Sequence, residues 1–109
     1  HARAEDAGQN PKYREMFDVA LTRAVSALPV LCELTLPLVK VGGKSIAYKG
    51  ESAEEIAASA NALAVLHATA ERVSIPSDYG ARELVIVTKN GATPKQYPRK
   101  AGTPAKKPL

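Results

Sequence analysis

The chain has 109 residues, 45% of them hydrophobic and 24% charged, which suits one soluble globular domain with a modest core. No apolar run approaches the roughly 20 residues needed to cross a bilayer, and the polar start His1-Ala2-Arg3-Ala4-Glu5-Asp6 is not a signal peptide, so the expected compartment is the cytoplasm, with no membrane partner. Cys32 is the only cysteine, which excludes an internal disulfide and a multi-cysteine zinc site; the expectation for it is a small core residue on a helix.

The net charge of +4 is unevenly spread. Residues 1–89 hold 10 Lys/Arg against 11 Asp/Glu, whereas residues 90–109 hold five basic groups (Lys95, Arg99, Lys100, Lys106, Lys107), no acid, and four of the eight prolines. The chain therefore reads as a near-neutral domain over 1–89 followed by a basic, proline-punctuated tail over 90–109. Such a tail suits a polyanion, because each Lys or Arg near a phosphate releases condensed counterions; a merely solvated tail fits the composition equally well. Met16 is the only methionine, so the expectation is a segment of a longer polypeptide.

In chain order, Phe17-Asp18-Val19-Ala20-Leu21-Thr22 reads as a short apolar strand of the kind buried on both faces of a parallel sheet. A helix follows from near Ser26 or Pro29, with apolar positions too dense for a single stripe, and Pro37 is expected to kink or end it. Lys40-Val41-Gly42-Gly43 reads as a turn after that helix and Lys44–Lys49 as a second strand. Ser52-Ala53-Glu54-Glu55 has the form of a capping box, with Ile56, Ala60, Leu63 and His67 on one face of the helix behind it. A third strand runs from about Thr69 to Ile75, the loop Pro76-Ser77-Asp78-Tyr79-Gly80 follows, and a fourth strand from about Arg82 to Lys89 pairs antiparallel with the third. This order predicts an α/β sheet closed by an antiparallel hairpin. It also leaves an open edge along Phe17–Thr22, as if the array were half of something larger.

Familiar catalytic arrangements are missing: no HExxH, no P-loop, no Ser/His/Asp set. Gly42-Gly43 lies between a helix and the next strand, the reverse of the strand, glycine turn, helix order that cradles a nucleotide, so it reads as structural. Two positions stand out by their place. Ligands of open α/β sheets lie beyond the carboxyl ends of the strands, which is where Arg23 follows the first strand and Lys49-Gly50 ends the second. A salt bridge for Arg23 and a solvated turn for Lys49-Gly50 are the plainer readings.

Several of these segments together resemble one family. Arg3-Ala4-Glu5-Asp6, Phe17-Asp18 with Thr22-Arg23-Ala24-Val25, Leu36-Pro37-Leu38, Gly42-Gly43, Lys49-Gly50, Arg82 before Leu84–Val87, and the ending Tyr97-Pro98-Arg99-Lys100-Ala101-Gly102-Thr103-Pro104-Ala105-Lys106-Lys107-Pro108-Leu109 are similar to the C-terminal half of the RsmG family, formerly called GidB. The resemblance implies a class I, Rossmann-like methyltransferase fold, with these strands as the last four of a seven-stranded sheet. It implies methylation of N7 of a guanine in 16S rRNA, S-adenosylmethionine as cofactor, the small ribosomal subunit as partner, and a monomer at full length. Carried over by motif, Ala4 and Glu5 are the pair near the adenine and Arg23 is a further cofactor-site residue. Lys49, Lys95, Arg99, Lys100, Lys106 and Lys107 are the candidate RNA contacts. Val41 stands where a proline is usual, and Ala81 and Glu83 differ from the usual neighbours of Arg82. The family's glycine-rich cofactor loop has no counterpart here. The rival reading is a small non-enzymatic RNA- or ribosome-binding protein working through its basic tail.

Overall fold

The computed structural model describes residues 3–23, 26–49, 52–76 and 82–109. Its elements are helix α1 (Ala4–Gln9), strand β1 (Phe17–Thr22), helix α2 (Leu28–Thr35), a 3-10 turn (Leu36–Leu38), strand β2 (Val39–Lys49), helices α3 (Ala53–Ala58) and α4 (Ala60–Val65), strands β3 (Ala68–Ser74) and β4 (Glu83–Lys89), and a terminal turn of helix α5 (Thr103–Lys106). The four strands form one sheet in the order β1-β2-β4-β3. β1 and β2 are parallel, with Leu21 opposite Ile46. The expected antiparallel hairpin of β3 and β4 is present, and β4 also lies antiparallel to β2, with Ile46 opposite Ile86. Of the expected loop Pro76–Gly80 only Pro76 is described; residues 77–81, together with Ala24, Val25, Gly50 and Glu51, lie outside the described residues.

Pleating sorts the side chains. Ala47, Val85 and Val87 face Leu28, Leu31 and Cys32 of α2, with Leu36 and Leu66, and these form the core. Cys32 is buried there as expected, and burial pushes its thiol pKa up to about 12, so it is inert near neutral pH. Leu36, Leu66 and Val85 are fully excluded from solvent; truncating either leucine to alanine would cost about 2–5 kcal/mol. β1 departs from expectation. Phe17, Val19 and Leu21 are 46%, 49% and 75% exposed, because no strand of this chain lies beyond β1 and no helix covers that face among the described residues.

The expected turn over Lys40–Gly43 is instead part of β2, which begins at Val39. Phe17 pairs with Val39 but Val19 pairs with Lys44, so the second strand absorbs its additional residues as a bulge. Gly42 sits at φ +88°, open to glycine at no steric cost. A Cβ on Gly43 would lie 2.5 Å from both the Asp18 carbonyl oxygen and Val39 Cγ1. The glycine pair therefore serves strand pairing and not a helix C-cap.

The capping box does not form either. Ser52 occupies the N-cap of α3, but its hydroxyl and backbone N–H both donate to Glu83 Oε1, at 2.7 and 2.8 Å. Glu55 turns away to α2 and Lys49. The helix also breaks at Ser59 (φ −94°, ψ 8°), whose hydroxyl bonds back to the Glu55 carbonyl. The break turns Ser59, Ala62 and Leu66 inward, while Ala60 and His67 of the predicted stripe are exposed. His67 takes a positive φ of 57° and its Nδ1 lies 2.9 Å from the Ala92 carbonyl oxygen.

Residues 90–109 fold back over α1 and α2. Pro98 and Pro104 are buried, Gln9 donates to the carbonyls of Lys95 and Pro98, and Arg14 donates to those of Thr93, Pro94 and Tyr97. At the root of this segment Lys89, fully buried, donates to the Leu36 and Val39 carbonyls and pairs with Glu15 at 2.6 Å. Its place follows from the pleat: Val85, Val87 and Lys89 share the inward face of β4.

Candidate functional site

β1, β2 and β3 end, and β4 begins, along one end of the sheet, since Lys49 is opposite Glu83 and Ser74 is opposite Glu83 from the other side. Arg23 follows β1 at this end and is exposed. With Tyr48 it lines a hollow of about 530 Å³. Neighbouring it in strand order, a second hollow of about 600 Å³ is lined by Arg72, Ser74 and Arg82 together with Glu54 and Glu83. Arg72 pairs with Glu83 at 3.3 Å, and the Ser52 hydroxyl, with that guanidinium, holds the Glu83 carboxyl below the usual carboxylate range. The hollow at Arg23 is the better match to a ligand site of an open α/β sheet, because it lies beyond the carboxyl ends of the two parallel strands. The sequence marks Arg82 only as part of a motif; its place in the second hollow depends on how β4 is inserted.

Lys49 ends β2 as predicted, but its ammonium is turned inward. Its side chain is 9% exposed, donating to Glu55 Oε1 at 2.5 Å and to the Ser26 carbonyl at 3.1 Å. The same Glu55 oxygen accepts the Leu28 backbone N–H at 2.5 Å. One carboxylate thus caps α2 from another helix, neutralises Lys49, and ties three elements together at this end of the sheet. Sequence reasoning misses Glu55 as a tertiary link because local pattern assigns it to its own helix cap.

Ala4 and Glu5 sit elsewhere among the packed elements. Glu5 is 8% exposed, and its Oε2 accepts the Gly102 N–H at 2.9 Å with Arg3 at 3.6 Å. The Gly102 bond, opposed by burial and helped by Arg3, holds its carboxyl below the usual range. Gly8, one turn further on, lies against Pro37 and Pro98. α1 is thus wedged between the 3-10 turn and the terminal segment, with the Glu5 carboxylate committed to Gly102, while Arg23 lies past the far end of β1.

The six candidate RNA contacts divide. Lys95, Lys100, Lys106 and Lys107 are exposed on the folded-back segment. Arg99 is not available in the same way: its guanidinium grips the fully buried Glu33, whose carboxylate raises the Arg99 pKa. Lys49 is held by Glu55 as described. Among the described residues, no group of three or more His, Cys, Asp and Glu is placed to hold a metal ion, and no helix is long and apolar enough to cross a membrane.

A mixed sheet with a parallel pair, an antiparallel closing hairpin, helices against one face and a ligand-accessible carboxyl end is the architecture of part of a class I methyltransferase. A model of the family described as rRNA small subunit methyltransferase G matches residues 1–85, and the chain belongs to that family. It is 50% identical, over a 112-residue alignment covering all of this chain and 47% of the relative, to a Ribosomal RNA small subunit methyltransferase G of Leuconostoc mesenteroides. A protein of the same name from Lactobacillus johnsonii is also 50% identical, with the same coverage, and one from Acetivibrio thermocellus is 46% identical over all of this chain and 46% of its own length. The chain thus spans about half the length of the curated relatives it matches.

S-adenosylmethionine, the methyl donor the family implies, finds a partial fit. Exposed Arg23 beside the hollow suits an anionic end of a ligand. Gly43, packed against Asp18 and Val39, has no room to cradle one.

Proposed function

We propose that this chain is the sheet portion of an enzyme that transfers a methyl group from S-adenosylmethionine to N7 of a guanine in 16S rRNA of the small ribosomal subunit, acting in the cytoplasm and as a monomer when complete. The observation that carries the reading is the exposed Arg23 beside a hollow beyond the parallel strands, in a chain of this family. Bound S-adenosylmethionine supplies an electrophilic methyl group. Guanine N7 offers a free lone pair and loses no proton, so no general base is needed, and positioning carries the acceleration. That fits a site without an acid/base pair.

In this reading Arg23 binds the anionic end of the cofactor, while the Lys49–Glu55–Leu28 linkage ties β2, α3 and α2 together behind the strand ends. The family motif alone puts Ala4 and Glu5 near the adenine; they lie away from the Arg23 hollow, and with the Glu5 carboxylate committed to Gly102 only their backbone is left for that role. The exposed Lys95, Lys100, Lys106 and Lys107 take RNA phosphates; their exposure also favours the second reading, an RNA-binding module without chemistry. The two separate in a chimaera in which this chain replaces its counterpart in the Leuconostoc mesenteroides relative. Transfer of labelled methyl to small-subunit rRNA, recovered as N7-methylguanosine, is expected. A folded chimaera that binds the RNA but transfers no methyl favours the second reading.

A further inference from the structure

The second hollow, at the ends of β3 and β4, takes no part in the reading above. The pleat builds it. Ser74 lies opposite Glu83 and Arg72 opposite Val85, so these side chains share the core-facing side of the sheet. The first turn of α3 brings Ala53 and Glu54 to them, and the space between is about 600 Å³. The Glu83 side chain is only 9% exposed: its Oε1 accepts both Ser52 donors and its Oε2 accepts from Arg72 Nη1 at 3.3 Å. Arg72 is thereby anchored at one nitrogen while its side chain stays 52% exposed, so most of its five-donor fork faces outward. Arg82 and Ile75 share the lining, and Ser74 and Glu54 are exposed there.

We infer that this hollow holds a second base of the RNA strand, an unpaired guanine near the one that is methylated. The lining sets two guanidiniums against two carboxylates. A phosphate only accepts hydrogen bonds and would face both Glu54 and Glu83; a small cation would face both arginines. A nucleobase edge carries acceptors and donors side by side and satisfies such a mixed set. Guanine fits it best, since O6 and N7 match the fork of Arg72 and its amino group can donate to the Glu54 carboxylate. Splayed bases of single-stranded RNA are read in this way, and a guanidinium plane can also stack on them. The position agrees. Both hollows open at the same end of the sheet, and β1, which leads to Arg23, is three strand spacings from β3, about 14 Å, within reach of one short stretch of RNA. The inference rests on RNA being the substrate, as proposed above, but it is read by base-selective binding and not by methyl transfer.

The test titrates the 109-residue chain with two labelled RNA probes, a short oligouridine and the same oligomer with one central guanine, and follows fluorescence anisotropy. The guanine probe should bind about ten-fold tighter, the worth of one bidentate contact. Glu54→Ala should remove that preference. If the hollow takes a phosphate instead, losing this carboxylate strengthens both probes equally, and that result would overturn the inference. Arg72→Lys keeps the charge but not the fork, so the oligouridine should bind as before and the preference should disappear. Melting curves show whether each variant keeps the fold. Equal affinity of the folded wild-type chain for the two probes, or no binding of either at tens of micromolar, would also refute it. A chimaera that transfers no methyl while the chain still prefers guanine sinks the methyltransferase reading and spares this one; methyl transfer without the preference does the reverse.

Discussion

Arg99 and Glu33 meet through a two-pronged contact, Nη2 to Oε1 at 2.7 Å and Nε to Oε2 at 3.0 Å, and the Arg99 backbone N–H adds a third bond to Oε2 at 2.7 Å. Glu33 is fully buried on α2, so this contact is what permits a carboxylate in the core side of the helix. Arg99→Ala would leave it unpaired. A loss of about 3 kcal/mol is expected, the low end for a buried pair because Arg99 is itself partly exposed. Arg99→Ala, Glu33→Gln and the double variant in urea melts measure it: the double should recover part of the single loss. Equal melting of Arg99→Ala and wild type would refute the clasp.

Acid should weaken the fold through three other carboxylates. Glu5 is held below its ordinary value of 4.5 by the Gly102 N–H, and Glu83 by the Ser52 hydroxyl. Burial would raise Glu15, but its bonds to Lys89 and Thr93 outweigh it and the net shift is downward. A depressed folded pKa means that the unfolded chain takes the proton first. The stabilisation is therefore present above about pH 4.5 and disappears as pH falls through the folded values. Melting temperature should be level near neutrality and fall steeply below about pH 4; a flat profile down to about pH 3 would count against these bonds.

Arg23→Ala, made in the chimaera, should lower cofactor affinity about ten- to a hundred-fold, the worth of one charge-assisted hydrogen bond. Because Arg23 is exposed, the melting temperature should be unchanged. The 109-residue chain alone should bind S-adenosylmethionine weakly or not at all, since it has no glycine cradle. Calorimetry and melting curves on one preparation decide both points. An Arg23→Ala protein that melts early yet binds normally when folded assigns the residue to the scaffold.

The exposed lysines call for substitution and not truncation. Deleting residues 95–109 would also remove Arg99, Pro98 and Pro104, and so unfold the domain it was meant to probe. Changing Lys95, Lys100, Lys106 and Lys107 to Gln should instead leave stability intact and flatten the salt dependence of RNA binding, by about 0.7–0.9 unit for each phosphate that is no longer neutralised. An unchanged slope would show that these side chains do not meet RNA.

What the sequence by itself determined are features that depend on local pattern. The positions of β1, β3, β4 and the second half of β2, the antiparallel hairpin, the helix ended near Pro37, the buried Cys32, and the place of Arg23 after β1 follow from periodicity and from proline and glycine. The family was legible in the same way, through runs such as Thr22-Arg23-Ala24 and the unusual ending. Which partner each charged group chose was decided only in three dimensions. Glu55 and Ser52 have a local cap open to them, yet Glu55 serves Leu28 and Lys49, and Ser52 serves Glu83. Arg99 and Lys49 read as cations for RNA until α2 and α3 bring carboxylates to them. Gly42 and Gly43 read as a turn until β1 lies alongside and makes them a bulge. A buried charge must find its counter-charge wherever packing places it, and sequence spacing carries no record of contacts 66 residues apart, such as that between Glu33 and Arg99.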